Sequence, residues 1–149
     1  MASTYTKFLY HLVFSTKGRA PLITAELRKP LYAYIGGIVR DHRGVLMAAG
    51  GMPDHVHLLV NLRAIPSVAQ HLQAIKGSSS RWVNVRNPAL GFAWQTGYGG
   101  FSVSESNVPE VMRYIANQEA HHQRLSFKDE LKGLLERHGV DYDKRYLLD

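Results

Sequence analysis

The stretch from Val45 to Leu62, VLMAAGGMPDHVHLLVNL, decides the fold. VLMAAGG is a short apolar run ending in glycines, MPD is a turn, and HVHLLVNL is long enough to pair back on the first run, so the segment reads as a β-hairpin. Side chains alternate along a strand, which puts His55, His57, Leu59 and Asn61 on one face and Val56, Leu58, Val60 and Leu62 on the other. The second set is wholly apolar and must meet the core. The two imidazoles then point to the opposite face, side by side, where two ring nitrogens can converge on one ion or one phosphate. Surface histidines of a basic protein are the more ordinary reading, and so short a motif alone is weak evidence for a metal site.

Upstream, YTKFLYHLVFST is rich in aromatic and β-branched residues and is closed by KGRAP, whose Gly18 and Pro21 are breakers, so it reads as a strand. A helix follows, capped by Thr24, with Leu27, Leu31, Ile35 and Ile38 at helical spacing and Gly44 as its terminator. Pro30 conflicts with this helix and predicts a kink or a late start. Downstream of the hairpin, Ser67 caps a helix whose Val68, Leu72, Ile75, Ser79 and Trp82 line one face as far as about Arg86. FAWQTGYGGFSVS reads as a fourth strand interrupted by glycines. A helix over about 107–124 has Pro109 in its first turn and Val108, Met112, Ile115 and Ala116 on its buried side. A last helix over about 126–138 opens with Ser126 and Asp129 in capping-box positions and ends at Gly139.

The order strand, helix, strand, strand, helix, strand, then two helices is an α+β plan: a ferredoxin-like split βαβ antiparallel sheet with helices on one face, plus C-terminal helices. At 149 residues and 45% hydrophobic content the chain has the size of one core, and a single domain over residues 1–149 is expected. The other face of such a sheet is open unless a ligand, a helix or a second subunit covers it.

Composition narrows the partners. With 18 Lys plus Arg against 12 Asp plus Glu, the net charge of +6 favours a polyanion. No cysteine is present, so disulfides and thiolate metal sites are excluded and any metal must be held by His, carboxylate, amide or water. No apolar run is long enough to span a bilayer and MASTYTKFLY does not read as a signal peptide, so a cytoplasmic protein without a membrane partner is expected.

On the helix that begins near Pro109, Tyr114, Gln118 and His121 share one stripe and are candidates to complete a site built on the histidine pair. Tyr and Gln at this spacing more often form a half-exposed polar pair. Asp54 reads first as a turn residue of MPDH, and alternatively as a carboxylate orienting an imidazole. His121 and His122 can approach a metal or phosphate, or simply lie at a helix end.

The blocks YHLVFSTKGRAPLI, GGMPDHVHLLV, IKGSSSRWV, WQTGYGGFSVS and YIANQEAHH, in this order and spacing, resemble the single-tyrosine HUH transposases, the TnpA-like enzymes of small bacterial insertion sequences that move as single-stranded DNA. The resemblance covers nearly the whole chain. It implies that His55, His57 and Gln118 hold a divalent metal, Mg²⁺ or Mn²⁺, and that Tyr114 is the nucleophile. It also implies a homodimer with active sites shared between subunits, acting on single-stranded, hairpin-bearing element ends in a bacterial or archaeal cytoplasm, at the nucleoid. The residue types suit that chemistry: two imidazoles and an amide leave a cation open positions for a phosphate. A phenol, with an ordinary pKa of about 10, becomes a nucleophile only when its phenolate is favoured.

For DNA contact the candidates are Lys17, Arg19, Lys76, Arg81 and Arg86, with Trp82 and Trp94 as stacking surfaces. Two other readings compete: a non-enzymatic RNA-recognition-like module, and a relaxase-like or domesticated HUH nuclease. The first needs aromatic residues on the central strands, and here the third strand carries histidines instead. The short chain without a helicase domain favours the simple transposase over the second.

Overall fold

The computed structural model of the chain describes residues 3–148, so Met1, Ala2 and Asp149 of the expected 1–149 domain lie outside the described residues. The strands are β1 (Phe8–Ser15), β2 (Val45–Met52), β3 (His55–Leu62) and β4 (Gly99–Ser102). They form one antiparallel sheet in the order β2-β3-β1-β4, which is the split βαβ order expected. The helices α1 (Ala25–Asp41) and α2 (Val68–Arg86) cover one face. Their Leu31, Ile35, Val39, Leu72, Ile75 and Val83 pack on Leu12, Phe14, Val56, Leu58 and Val60 of the two central strands. Full burial of each aliphatic side chain contributes on the order of 1.5–3 kcal/mol, and this layer is the main core.

Capping chemistry sets the helix starts. The Thr24 hydroxyl accepts from the Leu27 amide, and Ser67 and Gln70 form a reciprocal capping box. Pro30 neither kinks nor delays α1: the helix begins at Ala25 and runs through it. The carbonyl that Pro30 leaves without a donor is that of Glu26, an exposed residue in the first turn, where solvent can satisfy it. Gly44 follows α1 for a different reason from the one expected. Arg43 takes the left-handed conformation (φ 63°), whereas a Cβ on Gly44 would sit 2.8 Å from the Asn61 carbonyl oxygen.

The second face of the sheet is covered as well. Three short helices, α3 (Val108–Ala116), α4 (Gln118–His121) and α5 (Phe127–Arg137), lie over it, with Val108 and Ile115 against Leu9 and Leu59. Phe127, Leu131 and Leu134 pack against Val13 and Phe101. The helix expected over 107–124 is therefore two helices, broken at Asn117 (φ −98°, ψ 19°). Its expected buried side is half right: Val108 and Ile115 are buried, while Met112 and Ala116 face outward. The inward turn is carried instead by Val111 and Tyr114.

Gly50 on β2 is what lets α3 come so close. A Cβ there would lie 2.4 Å from the Ile115 carbonyl oxygen and 3.0 Å from Ile115 Cγ2. Gly50→Ala is therefore expected to push α3 outward, costing about 1–3 kcal/mol as overpacking. A thermal unfolding midpoint unchanged from the wild type would show that the contact yields freely.

Candidate active site

The sheet positions the first half of the site. His55 and His57 pair across β1 with Ser15 and Val13, and His11 of β1 lies on the same face. Neither His55 nor His57 is on an open surface: both are 0% exposed, roofed by α3, α4 and α5. A buried imidazole must find polar partners, and each has at least two. His55 Nδ1 donates to Asp54 Oδ1 at 2.7 Å, so Asp54 is more than the turn residue it first reads as. His55 Nε2 lies 3.0 Å from Gln118 Oε1 and 3.3 Å from Glu130 Oε1. His57 Nε2 lies 2.9 Å from the same Glu130 oxygen, and its Nδ1 is 2.8 Å from His11 Nε2.

Glu130, on α5, gathers the rest. Its Oε1 also takes His122 Nε2 at 3.0 Å, while Oε2 accepts from the Tyr114 hydroxyl and, at 2.8 Å, from Gln118 Nε2. One carboxylate, 2% exposed, thus faces three imidazoles, an amide and a phenol. Such an anion is tolerated in the interior only because it is so fully hydrogen-bonded.

The break at Asn117 does not separate the stripe: Tyr114 and Gln118 still meet at Glu130. Of that stripe His121 is more peripheral, its Nε2 3.5 Å from Glu130 Oε2, and His122 is the histidine that enters the cluster.

The electrostatics follow from this packing. Burial opposes charge on Glu130, but the bonds from His122, His55 and His57 outweigh it and hold the carboxyl far below its ordinary range. Burial likewise lowers His55, yet its bonds to Asp54, Glu130 and Gln118 dominate and raise it to about 9. His11 is pushed down to about 3, first by burial and then by His57, so it is neutral at physiological pH. Burial, reinforced by the bond to Glu130, pushes the Tyr114 phenol well above its usual value. It is held protonated in this arrangement.

One donor atom each from His55, His57, His122 and Glu130 lie within 4.8 Å of one another, a set able to hold a divalent cation. The His55 and His57 Nε2 atoms belong to the expected site, and Gln118 Oε1 lies beside them. His11 and Glu130 are absent from the sequence-based expectation. For Glu130 a signal existed: with Phe127, Leu131 and Leu134 it lies on the buried stripe of α5, where a carboxylate is out of place unless it has partners.

The candidate DNA contacts divide. Lys17 and Arg19 are exposed after β1, and Arg19 borders a cavity of about 350 Å³ shared with Asp54, His122 and Phe127. Arg81 and Arg86 are exposed on α2, on the opposite face of the sheet, where Arg86 stacks over Trp82 at 4.8 Å. Lys76 is committed elsewhere, donating to the carbonyls of Thr96 and Gly97 at 3.1 and 2.8 Å. Trp94 offers no stacking surface: it is buried between Phe14 and Phe92, with its indole N–H on Ser79.

Comparison with known proteins gives the class. Residues 4–118 match the family described as IS200-like transposases. The chain belongs to that family, the single-tyrosine transposases of the HUH type. ISDra2 transposase TnpA of Deinococcus radiodurans is 29% identical over 115 residues, covering 73% of this chain and 82% of that protein. A crystal structure of a candidate transposase from D. radiodurans R1 superposes with a TM-score of 0.65 at 29% identity, over 79% of this chain and 95% of the other. A REP-associated tyrosine transposase bound to a REP hairpin shares the fold, with a TM-score of 0.61 at 16% identity over 82% and 73% of the respective chains. The cluster of histidines and a glutamate suits an enzyme of this class that cuts DNA with the help of a divalent cation. Among the described residues no helix is long and apolar enough to cross a membrane.

Proposed function

We propose that this chain cleaves and rejoins single-stranded DNA at the ends of an insertion sequence, with Tyr114 as nucleophile and His55, His57 and Gln118 among the ligands of a divalent ion. The observation that supports this most is the convergence of the Tyr114 hydroxyl and the Nε2 atoms of His55, His57 and His122 on the single carboxylate of Glu130.

The donor chemistry fits an ion. Imidazole nitrogens with a carboxylate and an amide oxygen match Mn²⁺ better than Mg²⁺, which prefers oxygen and water. A bound cation supplies Lewis-acid stabilisation of charge on the scissile phosphate and the leaving 3′-oxygen. The protein supplies the rest. Asp54 orients the His55 ring through Nδ1, leaving Nε2 facing the site. Gln118 spans His55 and Glu130 with its two amide atoms. Tyr114 directs its proton at Glu130 Oε2, the nearest acceptor when the phenol attacks phosphorus. That transfer is uphill in the resting arrangement, by about 1.4 kcal/mol for each unit separating the two pKa values, which keeps the nucleophile silent until substrate and ion are in place. Attack joins the Tyr114 oxygen to the 5′-phosphate and frees a 3′-hydroxyl, so the bond is conserved for rejoining. Arg19, bordering the cavity beside the site, is the cation best placed for the DNA backbone, with Lys17 exposed two residues before it and Arg81 and Arg86 as a separate basic surface on α2.

The test is a 3′-labelled single-stranded oligonucleotide carrying an element end. It should form a denaturant-resistant protein–DNA adduct with Mn²⁺, lose it with chelator, and lose it in His57→Ala. At limiting Mn²⁺ the yield should rise as the pH is raised from 7 towards 9, because the ion must displace a proton from His55, whose pKa is about 9. Adduct formation indifferent to chelator would overturn the ion-assisted reading.

The partner expected on the family resemblance is a second copy, with sites shared between subunits. The Tyr114 and His57 rings of one chain lie 5.6 Å apart, which supports a site completed within a single chain as the alternative to exchange. Mixing Tyr114→Phe with His57→Ala protein discriminates. We expect no adduct from the mixture; recovery of the adduct would mean that α3 and α4 are exchanged between subunits. The whole of the chain from β1 to α5 contributes to this reading, which favours a single domain.

A further inference from the structure

His11 belongs to none of the roles assigned so far, yet it is 4% exposed at the centre of the sheet and its ring bonds to a histidine of the site. Its Nε2 is 2.8 Å from His57 Nδ1, with ring centroids 5.0 Å apart and planes tilted by 32°. The cross-strand register explains the meeting: His11 faces Leu59 and His57 faces Val13, so the two imidazoles are diagonal neighbours on one face of adjacent strands. His11 is itself wedged by rings, Phe101 at 6.1 Å and Tyr114 at 5.9 Å.

We propose that His11 is a positioning residue for the ion site, fixing the ring orientation and tautomer of His57 through the Nε2–Nδ1 bond. The inference rests on the ion-binding reading given above. A histidine that offers Nε2 to an ion must carry its proton on Nδ1, and that N–H needs an acceptor in the interior. His11 Nε2 is the atom in place to accept it. When His57 Nε2 instead donates to Glu130, its Nδ1 becomes an acceptor and the same His11 nitrogen can donate. A neutral imidazole answers both roles, whereas a carboxylate would answer only the first and an ammonium only the second. His55 has a carboxylate, Asp54, in the corresponding place. The two ligands are thus oriented by different chemistry, and the His57 side adds no second negative charge beside Glu130.

The experiment is a calorimetric Mn²⁺ titration of the DNA-free full-length protein at fixed pH, comparing wild type, His11→Leu and His11→Gln. The leucine fills the space without a polar atom, and the glutamine amide can donate or accept. His11→Leu is expected to weaken Mn²⁺ binding about 10- to 100-fold, the range seen when such an outer partner is lost. His11→Gln should stay within about 3-fold of wild type on the same argument. Unfolding midpoints in chelator establish that both variants are folded. Equal Mn²⁺ affinity in His11→Leu and wild type overturns the positioning role while leaving the ion site standing, as does equal weakening in both variants. Absence of Mn²⁺ binding by the wild type overturns the ion reading itself, and this inference with it.

Discussion

Tyr114→Phe should abolish the covalent adduct with single-stranded DNA, to below detection, and leave DNA binding within about 2-fold. The change removes one oxygen, the atom that would be joined to phosphorus, and no other hydroxyl in the described structure shares its bond to Glu130. Binding should survive because the contact with DNA rests mainly on cations and phosphates, which the change leaves untouched. The phenol also donates to a buried carboxylate, so the variant should lose about 1–2 kcal/mol of stability, measurable by urea unfolding. An adduct that persists in Tyr114→Phe would assign the nucleophile to another residue.

The second large effect is expected at Glu130. Its carboxylate holds His55, His57, His122, Gln118 and Tyr114 at once, so Glu130→Ala should weaken Mn²⁺ binding at least about 10-fold and destabilise the ion-free protein by about 3 kcal/mol. The cost arises because several buried donors lose their acceptor together. The pH dependence carries a sign. Glu130 has a folded-state pKa far below its ordinary value, so its contribution is present above about pH 4.5 and lost as the pH falls below it. The acid limb of the stability profile should therefore be shallower in Glu130→Ala. A variant with unchanged Mn²⁺ affinity and unchanged stability would remove Glu130 from the site.

The sheet and its order were legible because the alternation of HVHLLVNL and the helical spacing from Leu27 to Ile38 are local signals, and tertiary packing agrees with both. The histidine pair was legible for the same reason, since register alone puts His55 and His57 on one face. What escaped is long-range. Nothing near Glu130 in sequence says that its helix folds back over β3, and nothing near His11 says that it meets His57, 46 residues away. The outward turn of Met112 and Ala116 escaped too, because the break at Asn117 and the close seat of Ile115 on Gly50 turn α3 in a way that ideal helical phase does not anticipate.

Glu130, on α5, ties together groups contributed by two other stretches of chain, the β3 strand and the Tyr114-to-His122 region. Phe127, stacked on His55 at 4.4 Å, fastens the same helix one turn earlier. Loosening α5 therefore dissolves the whole constellation in one event rather than ligand by ligand. The last helix lies beyond residues 4–118, the span that matches the family, so the clasp on these histidines is made by a part of this chain outside that span.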